Sequence, residues 1–198
     1  ARETFGRIDI LVCNAGVGLC SRVEEIPLPA LHSVFDVNFF GVVRCVQAAL
    51  PGMLRQRSGL IQIVSSVIGR RAIPGYAGYC ATKFALGALA ESLRLEVKGR
   101  GVEVQVVYPS VTDTGFSQNS LIANPVSPPP RMKPMSAQRV GCLMVRAARR
   151  GVRDEVITFG GKFLGLANGV APGMLDRVIA RVVGDGSPRG RTRNAIPR

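Results

Sequence analysis

The sequence has one histidine, His32, and no G-x-S-x-G elbow, so a serine hydrolase would lack both its base and its strained nucleophile turn. His32 reads as a solvent or core residue near a helix start. The five cysteines, Cys13, Cys20, Cys45, Cys80 and Cys142, are odd in number and contain no C-x-x-C pair, which excludes a disulfide scaffold and a clustered zinc site. Reduced thiols in a cytoplasm fit that pattern. No apolar core with a small-residue cleavage site follows Ala1, so the start does not read as a secretory signal. No apolar run reaches the roughly 18 residues that span a bilayer, because Arg44, Asp176 and Arg177 interrupt the best candidates. Acidic residues are scarce, 13 against 26 basic, but no helix-turn-helix, RNP or zinc-finger pattern accompanies the excess, so no specific nucleic-acid partner is expected. A glycine-rich dinucleotide turn is also missing. The nearest run, Gly160-Gly161-Lys162-Phe163-Leu164-Gly165, has the wrong spacing.

What is present is a 198-residue chain, 46% hydrophobic, which is enough for one packed domain over residues 1–186. Residues 187–198 read as a basic, mobile tail. The charge is uneven: from Arg131 onward there are 14 basic and 4 acidic residues, against 12 and 9 before it. Apolar runs alternate with helical periods, as in βαβ units around a mainly parallel sheet. Four strands are predicted: 8–13, 60–64 and 102–107, rich enough in Ile, Leu and Val to be covered on both faces, and a weaker one at 156–159. Helices are predicted over about 31–54, 78–98 and 137–150, with another after Pro172. In the second of these, Phe84, Leu89, Leu93 and Val97 mark the apolar face. In the last, Met174, Leu175, Val178, Ile179, Val182 and Val183 form an apolar face that wants a partner. Core packing, a dimer contact in a homo-oligomer and an interfacial membrane helix all remain open. Pro and Ser crowd residues 117–135, which read as a loop or flap.

The chemistry gathers at strand ends. Tyr79 and Lys83 stand at i and i+4, so a phenol and an ammonium share one helix face, where a cation can stabilise a phenolate. An exposed helix pair is the plainer reading of those two residues alone. Ser65 and Ser66 follow the second strand at the carboxyl edge where open parallel sheets bind ligands, and Ser66 could hydrogen-bond a carbonyl or alcohol oxygen. Asn14, Ala15 and Gly16 follow the first strand, where small residues allow close approach. Asn38 is an amide among Val37, Phe39 and Phe40, either a satisfied core group or a functional one. Pro109, Ser110, Thr112 and Thr114 leave the third strand at the same edge.

Taken together in this order and spacing, these motifs resemble the short-chain dehydrogenase/reductase family from Ile8 to about Phe116. The resemblance implies a Rossmann-like, doubly wound α/β sheet flanked by helices, cut at the amino end so that about four strands remain. It implies that Tyr79 is the general acid/base, that Ser66 orients the reacting oxygen, and that Lys83 lowers the phenol pKa and holds the nicotinamide ribose. Asn38 would anchor a water leading to Lys83. Asn14, Ala15 and Gly16 would lie beside the adenosine half of NADP or NAD, with Cys13 in place of the family's first Asn. The Thr112 backbone and the Thr114 side chain would contact the carboxamide, and Pro109 and Ser110 would also bind the cofactor, with Ser110 where the family usually has Gly. The expected activity is hydride transfer between NAD(P)(H) and a hydrophobic alcohol or ketone, such as a steroid, retinoid or fatty carbonyl. Apolar residues in the flap, Leu121, Ile122, Val126, Met132 and Met135, point to that substrate class. The alternative is a non-catalytic or incomplete binding or scaffold protein of the same fold. Because the glycine-rich turn is missing, weak or no binding of cofactor by these 198 residues alone is expected.

Overall fold

The computed structural model describes residues 2–116, 118–122 and 133–183. Four parallel strands form the main sheet: β1 (Ile10–Cys13), β3 (Gly59–Val64), β4 (Val102–Tyr108) and β8 (Asp154–Val156), side by side in that order. Two short parallel pairs lie outside it. β2 (Leu19–Cys20) pairs with β6 (Leu121–Ile122), and β5 (Thr112–Asp113) pairs with β7 (Met135–Ser136). The helices are α1 (Arg2–Phe5), α2 (Leu28–Phe35), α3 (Gly41–Gln56), α4 (Ala77–Glu96), α5 (Ala137–Arg150), α6 (Phe159–Val170) and α7 (Pro172–Val183). This is the expected mixed α/β layout, a parallel sheet with helices on both faces.

The two faces of the sheet are built differently. Ile61 stands opposite Val104 and Ile63 opposite Val106, and these side chains pack with Val46, Met53, Leu86 and Leu93 from α3 and α4 in one apolar core. The residues between them face the other way. Gln62 lies opposite Gln105 in the register and donates to its Oε1 at 3.2 Å and to the Met144 carbonyl at 3.0 Å, while Gln105 donates to the Ala147 carbonyl at 3.3 Å. These bonds fasten α5 to the far face by satisfying buried amides rather than by apolar packing alone.

Several expectations shift. β1 is an edge strand with Ile10 and Val12 exposed, so it is not covered on both faces. The fourth strand ends at Val156 rather than continuing to Phe159. Thr158 caps α6 by accepting from Gly161 N at 3.2 Å, which turns the chain into a helix the periodicity does not predict. The long helix begins at Leu28 and runs through a π-helical turn, Asp36–Phe40, to Gln56. That 29-residue stretch is long and apolar enough by length and composition to cross a bilayer, despite Arg44; Val34, Val42, Val46 and Met53 pack one side of it into the interior, while Leu28, Val37 and Phe40 stay exposed. Most of the predicted flap, including Val126 and Met132, and the tail 187–198 lie outside the described residues.

Candidate active site

On α4, Tyr79, Lys83, Leu86, Ala90 and Leu93, with Val97 at the C-cap, recur at steps of three and four, which is one face of a helix. All are buried. The phenol and the ammonium therefore head the same stripe that packs the core, rather than projecting from an exposed pair. Phe84, expected on the apolar face, points to solvent instead. The core contacts of Leu86 and Leu93 against the sheet aim the first turn of α4 at the carboxyl end of β3.

β3 delivers two serines in opposite directions, as a strand must. Ser65 turns toward α4 and donates to the Lys83 carbonyl at 2.9 Å. The fit is tight: a Cβ on Gly69 would lie 2.5 Å from Ser65 Oγ and 2.9 Å from Lys83 Cβ, so only glycine allows this approach. Ser66 faces the site. Its oxygen accepts from Ile68 N at 3.4 Å, which leaves its own proton free to be given to the Tyr79 hydroxyl, its hydrogen-bond partner.

Electrostatics follow burial. The pairing of Tyr79 with Lys83 leads one to expect a phenol drawn down toward working pH, but the net direction is the opposite. Desolvation holds the Tyr79 phenol well above its ordinary value, with the Ser66 hydrogen bond pulling downward and the Cys80 thiol adding to the rise. Lys83 Nζ sits 5.7 Å from the centre of the Tyr79 ring. Burial brings its pKa down to about 8. Its one hydrogen-bond acceptor among the described residues is the Val64 carbonyl, at 3.0 Å, so an ammonium with three protons keeps donor capacity to spare.

The loop after β1 closes the site from the other side. A Cβ on Gly16 would stand 3.2 Å from Asn38 Oδ1 and 3.4 Å from Lys83 Nζ, so the bare backbone there leaves a small cradle that both polar groups flank. Asn38 is fully buried within the π-turn. It accepts from Val17 N at 2.8 Å and donates to the Val17 carbonyl at 2.9 Å and to Thr82 Oγ1 at 3.0 Å. Thr82 in turn donates to the Tyr79 carbonyl at 2.7 Å. Asn38 thus ties the Gly16 loop to α4 and positions the site. Both of its N–H protons are used, which leaves only a lone pair on Oδ1 for a water.

Asn14 and Ala15 are exposed beside this cradle. Pro109 reaches the edge of the site through its carbonyl, which accepts from Val67 N at 2.9 Å just beyond Ser66. Ser110, Thr112 and Thr114 continue along that edge without joining the buried cluster: Thr112 donates to the Ser110 carbonyl at 3.0 Å, and Thr114 accepts from Phe116 N at 3.2 Å. Sequence reasoning missed Thr82, the inward turn of Ser65, and Phe116. The Phe116 ring lies 5.6 Å from the Tyr79 ring at 59°. Ser120 and Leu121 hold its segment, Ser120 by donating to the Phe116 carbonyl at 2.9 Å and Leu121 by donating to the Gly18 carbonyl at 2.9 Å. A hydroxyl three residues after Tyr79 was the available signal for Thr82. A cavity of about 300 Å³ lined by Arg7, Ile8, Met53 and Gln56 opens at the opposite, amino end of the strands and contains none of these groups.

A short chain dehydrogenase family profile matches residues 1–124. Retinol dehydrogenase 8 of Bos taurus is 34% identical over 188 residues, covering 95% of this chain and 56% of that protein. The 17-beta-hydroxysteroid dehydrogenase type 1 of Mus musculus is 42% identical over 122 residues, covering 62% of this chain and 35% of that protein. The chain thus spans about half or less of the length of these relatives. Among solved structures, an alcohol dehydrogenase from the archaeon Thermococcus sibiricus complexed with 5-hydroxy-NADP superposes with a TM-score of 0.65 at 27% identity, over 79% of this chain and 64% of that one.

Proposed function

Because the chain belongs to the short-chain dehydrogenase family, we propose that it serves as an oxidoreductase acting between NADP(H) or NAD(H) and a hydrophobic alcohol or ketone. The observation that carries this reading is the convergence of the Ser66 hydroxyl, the Tyr79 phenol and the Lys83 ammonium in one buried cluster at the carboxyl end of β3.

The residues fit a nicotinamide dinucleotide. The cradle at Gly16 leaves room beside Lys83, and the spare donors of the ammonium suit a pair of ribose hydroxyls. Asn14, Ala15 and Gly16 would line the adenosine side, and Pro109, Ser110, Thr112 and Thr114 the carboxamide side. When bound, the nicotinamide supplies or takes up the hydride. The protein's own groups manage the oxygen. In the direction of reduction, Tyr79 gives its phenolic proton to the carbonyl oxygen as that oxygen gains charge, and Ser66 holds the same oxygen by donating a hydrogen bond. A desolvated phenol with a raised pKa is fully protonated across the neutral range and so is loaded for that step. Below about pH 8 Lys83 carries the charge that steadies the resulting phenolate. Asn38 positions rather than reacts, with its Oδ1 lone pair available to a water on the way to Lys83.

The Phe116 ring packed against Tyr79 supports an apolar substrate, as do two relatives named for retinol and for a hydroxysteroid. The five free thiols fit a reducing, cytoplasmic compartment. The test is NADPH- or NADH-dependent reduction of a panel of steroid, retinoid, fatty and sugar carbonyls, with Tyr79→Phe as the paired variant. Turnover of the apolar members that disappears in the variant supports the reading. Turnover that survives Tyr79→Phe overturns it in favour of another chemistry, and a wild-type protein that reduces no member of the panel overturns it in favour of a scaffold.

A further inference from the structure

On α6, Phe159, Phe163, Leu166 and Val170 follow at i, i+4, i+7 and i+11, a single narrow stripe, and each is between 65% and 87% exposed. α7 continues the theme with Met174, Val178 and Val182, exposed by 47% to 61%, while Leu175 and Ile179, on the adjoining flank of the same broad apolar face, are buried. Isolated exposed apolar residues need no account, but seven in two helical stripes do.

The stripe is not the face by which α6 is held. Gly161, Gly165 and Asn168 lie about half a turn away on the helix. A Cβ on Gly161 would press on Val67 and Val156, and one on Gly165 would lie 3.5 Å from Arg70 Nε. Asn168 accepts from Arg71 Nη1 at 2.7 Å and donates to the Arg70 carbonyl at 3.4 Å. Arg71 also pairs with Asp176 on α7. Polar bonds to the Arg70–Arg71 segment thus anchor the pair of helices and leave the apolar side outward.

Charge identifies the occupant. Lys162, Arg177 and Arg181 flank the stripes, and the single acidic residue of the two helices, Asp176, is engaged by Arg71. Lys162 reaches Glu155 at 3.8 Å, whereas Arg177 and Arg181 have no ion-pair partner among the described residues. The sequence beyond α7 adds Arg189, Arg191, Arg193 and Arg198 against Asp185. A second copy of this chain would bring like charges together on such a face, and a neutral apolar partner would leave the cations unused.

We infer that α6 and α7 form an interfacial patch that seats the protein on a bilayer surface bearing anionic headgroups. The apolar stripes enter the headgroup boundary and the flanking cations meet the lipid charges. The claim is independent of hydride transfer.

The experiment is sedimentation of the 198-residue chain with phosphatidylcholine vesicles and with phosphatidylcholine vesicles containing phosphatidylserine, at low and high salt. Wild-type protein is expected to pellet with the anionic vesicles and much less with the neutral ones, with the difference shrinking as salt rises. The double variant Phe163→Ser, Leu166→Ser should lose vesicle partitioning on the order of tenfold or more, since it removes two large apolar anchors. Arg177→Glu, Arg181→Glu should lose the preference for anionic vesicles. Wild-type protein that stays in the supernatant, or apolar variants that bind as well as wild type, would overturn the inference. So would a wild-type dimer in sedimentation velocity that the Phe163→Ser, Leu166→Ser variant converts to monomer.

Discussion

The first turn of α4 and the α6–α7 pair invert each other. Around Tyr79 the polar groups are inside: Asn38, Thr82 and Lys83 are almost wholly removed from solvent, and each is hydrogen-bonded. On α6 and α7 the polar groups make the anchor, through Arg71, Asn168 and Asp176, and the apolar side chains face outward. Burial therefore does different work in the two places. In the first it raises the Tyr79 pKa, which keeps the phenol protonated, and lowers that of Lys83, which confines the ammonium to pH values below about 8. In the second its absence leaves apolar area available for an external surface.

The sharpest way to break the contrast is at the phenol itself. Tyr79→Phe removes the proton but keeps the ring against Phe116, so carbonyl reduction should fall by about 10²- to 10⁴-fold while thermal unfolding moves little. Steady-state kinetics beside a melting curve separate the two effects. Next comes the clamp. Asn38→Ala leaves the half-buried Val17 N–H and carbonyl without their partner and removes one of the two bonds of the Thr82 hydroxyl, and should cost about 2–3 kcal/mol in denaturant unfolding.

Lys83→Met tests the electrostatics. The folded-state pKa of about 8 lies below the ordinary 10.5, so between those values the unfolded chain binds a proton that the native one does not. Stability contributed by this group is thus lowest below about pH 8 and rises as pH climbs toward 10.5. Melting followed across that window should show the rise in wild type and lose it in Lys83→Met, a difference of about 3 kcal/mol. The smallest effect belongs to the outer stripe. Phe163→Ser should change unfolding free energy by no more than about 0.5 kcal/mol, because the side chain is already in solvent. A large loss there would mean that α6 packs as core and that the two regions are not opposites.

Much of the layout was legible from periodicity. The predicted helix over 137–150 coincides with α5, the one after Pro172 with α7, and the three apolar strands lie within two residues of β1, β3 and β4. The errors fall where a local pattern has two readings. Val156 to Phe159 looks like a strand because it is apolar, until the Thr158 cap and the glycines behind it make a helix that buries no side chain. Phe84 looks like core because it is large, yet Tyr79 and Lys83 occupy the buried face and Phe84 does not. Ser66, Tyr79, Lys83 and Asn38 were all recognisable as candidates. Thr82, the inward role of Ser65 and the ring of Phe116 were not, since each acts only through a neighbour far along the chain or across a helix turn.

By itself the sequence determined the alternation of strand and helix, the carboxyl-edge location of the serines and the shared face of Tyr79 and Lys83, because these follow from periods of two and 3.6 residues that every local segment obeys. Only the tertiary structure decided that the shared face is the buried one, that a π-turn brings Asn38 beneath Gly16, and which helices keep an apolar side bare. The reason is that desolvation is a property of what surrounds a group. The shifts of Tyr79 and Lys83 and the exposure of Phe159 and Phe163 depend on packing between segments that no local spacing contains.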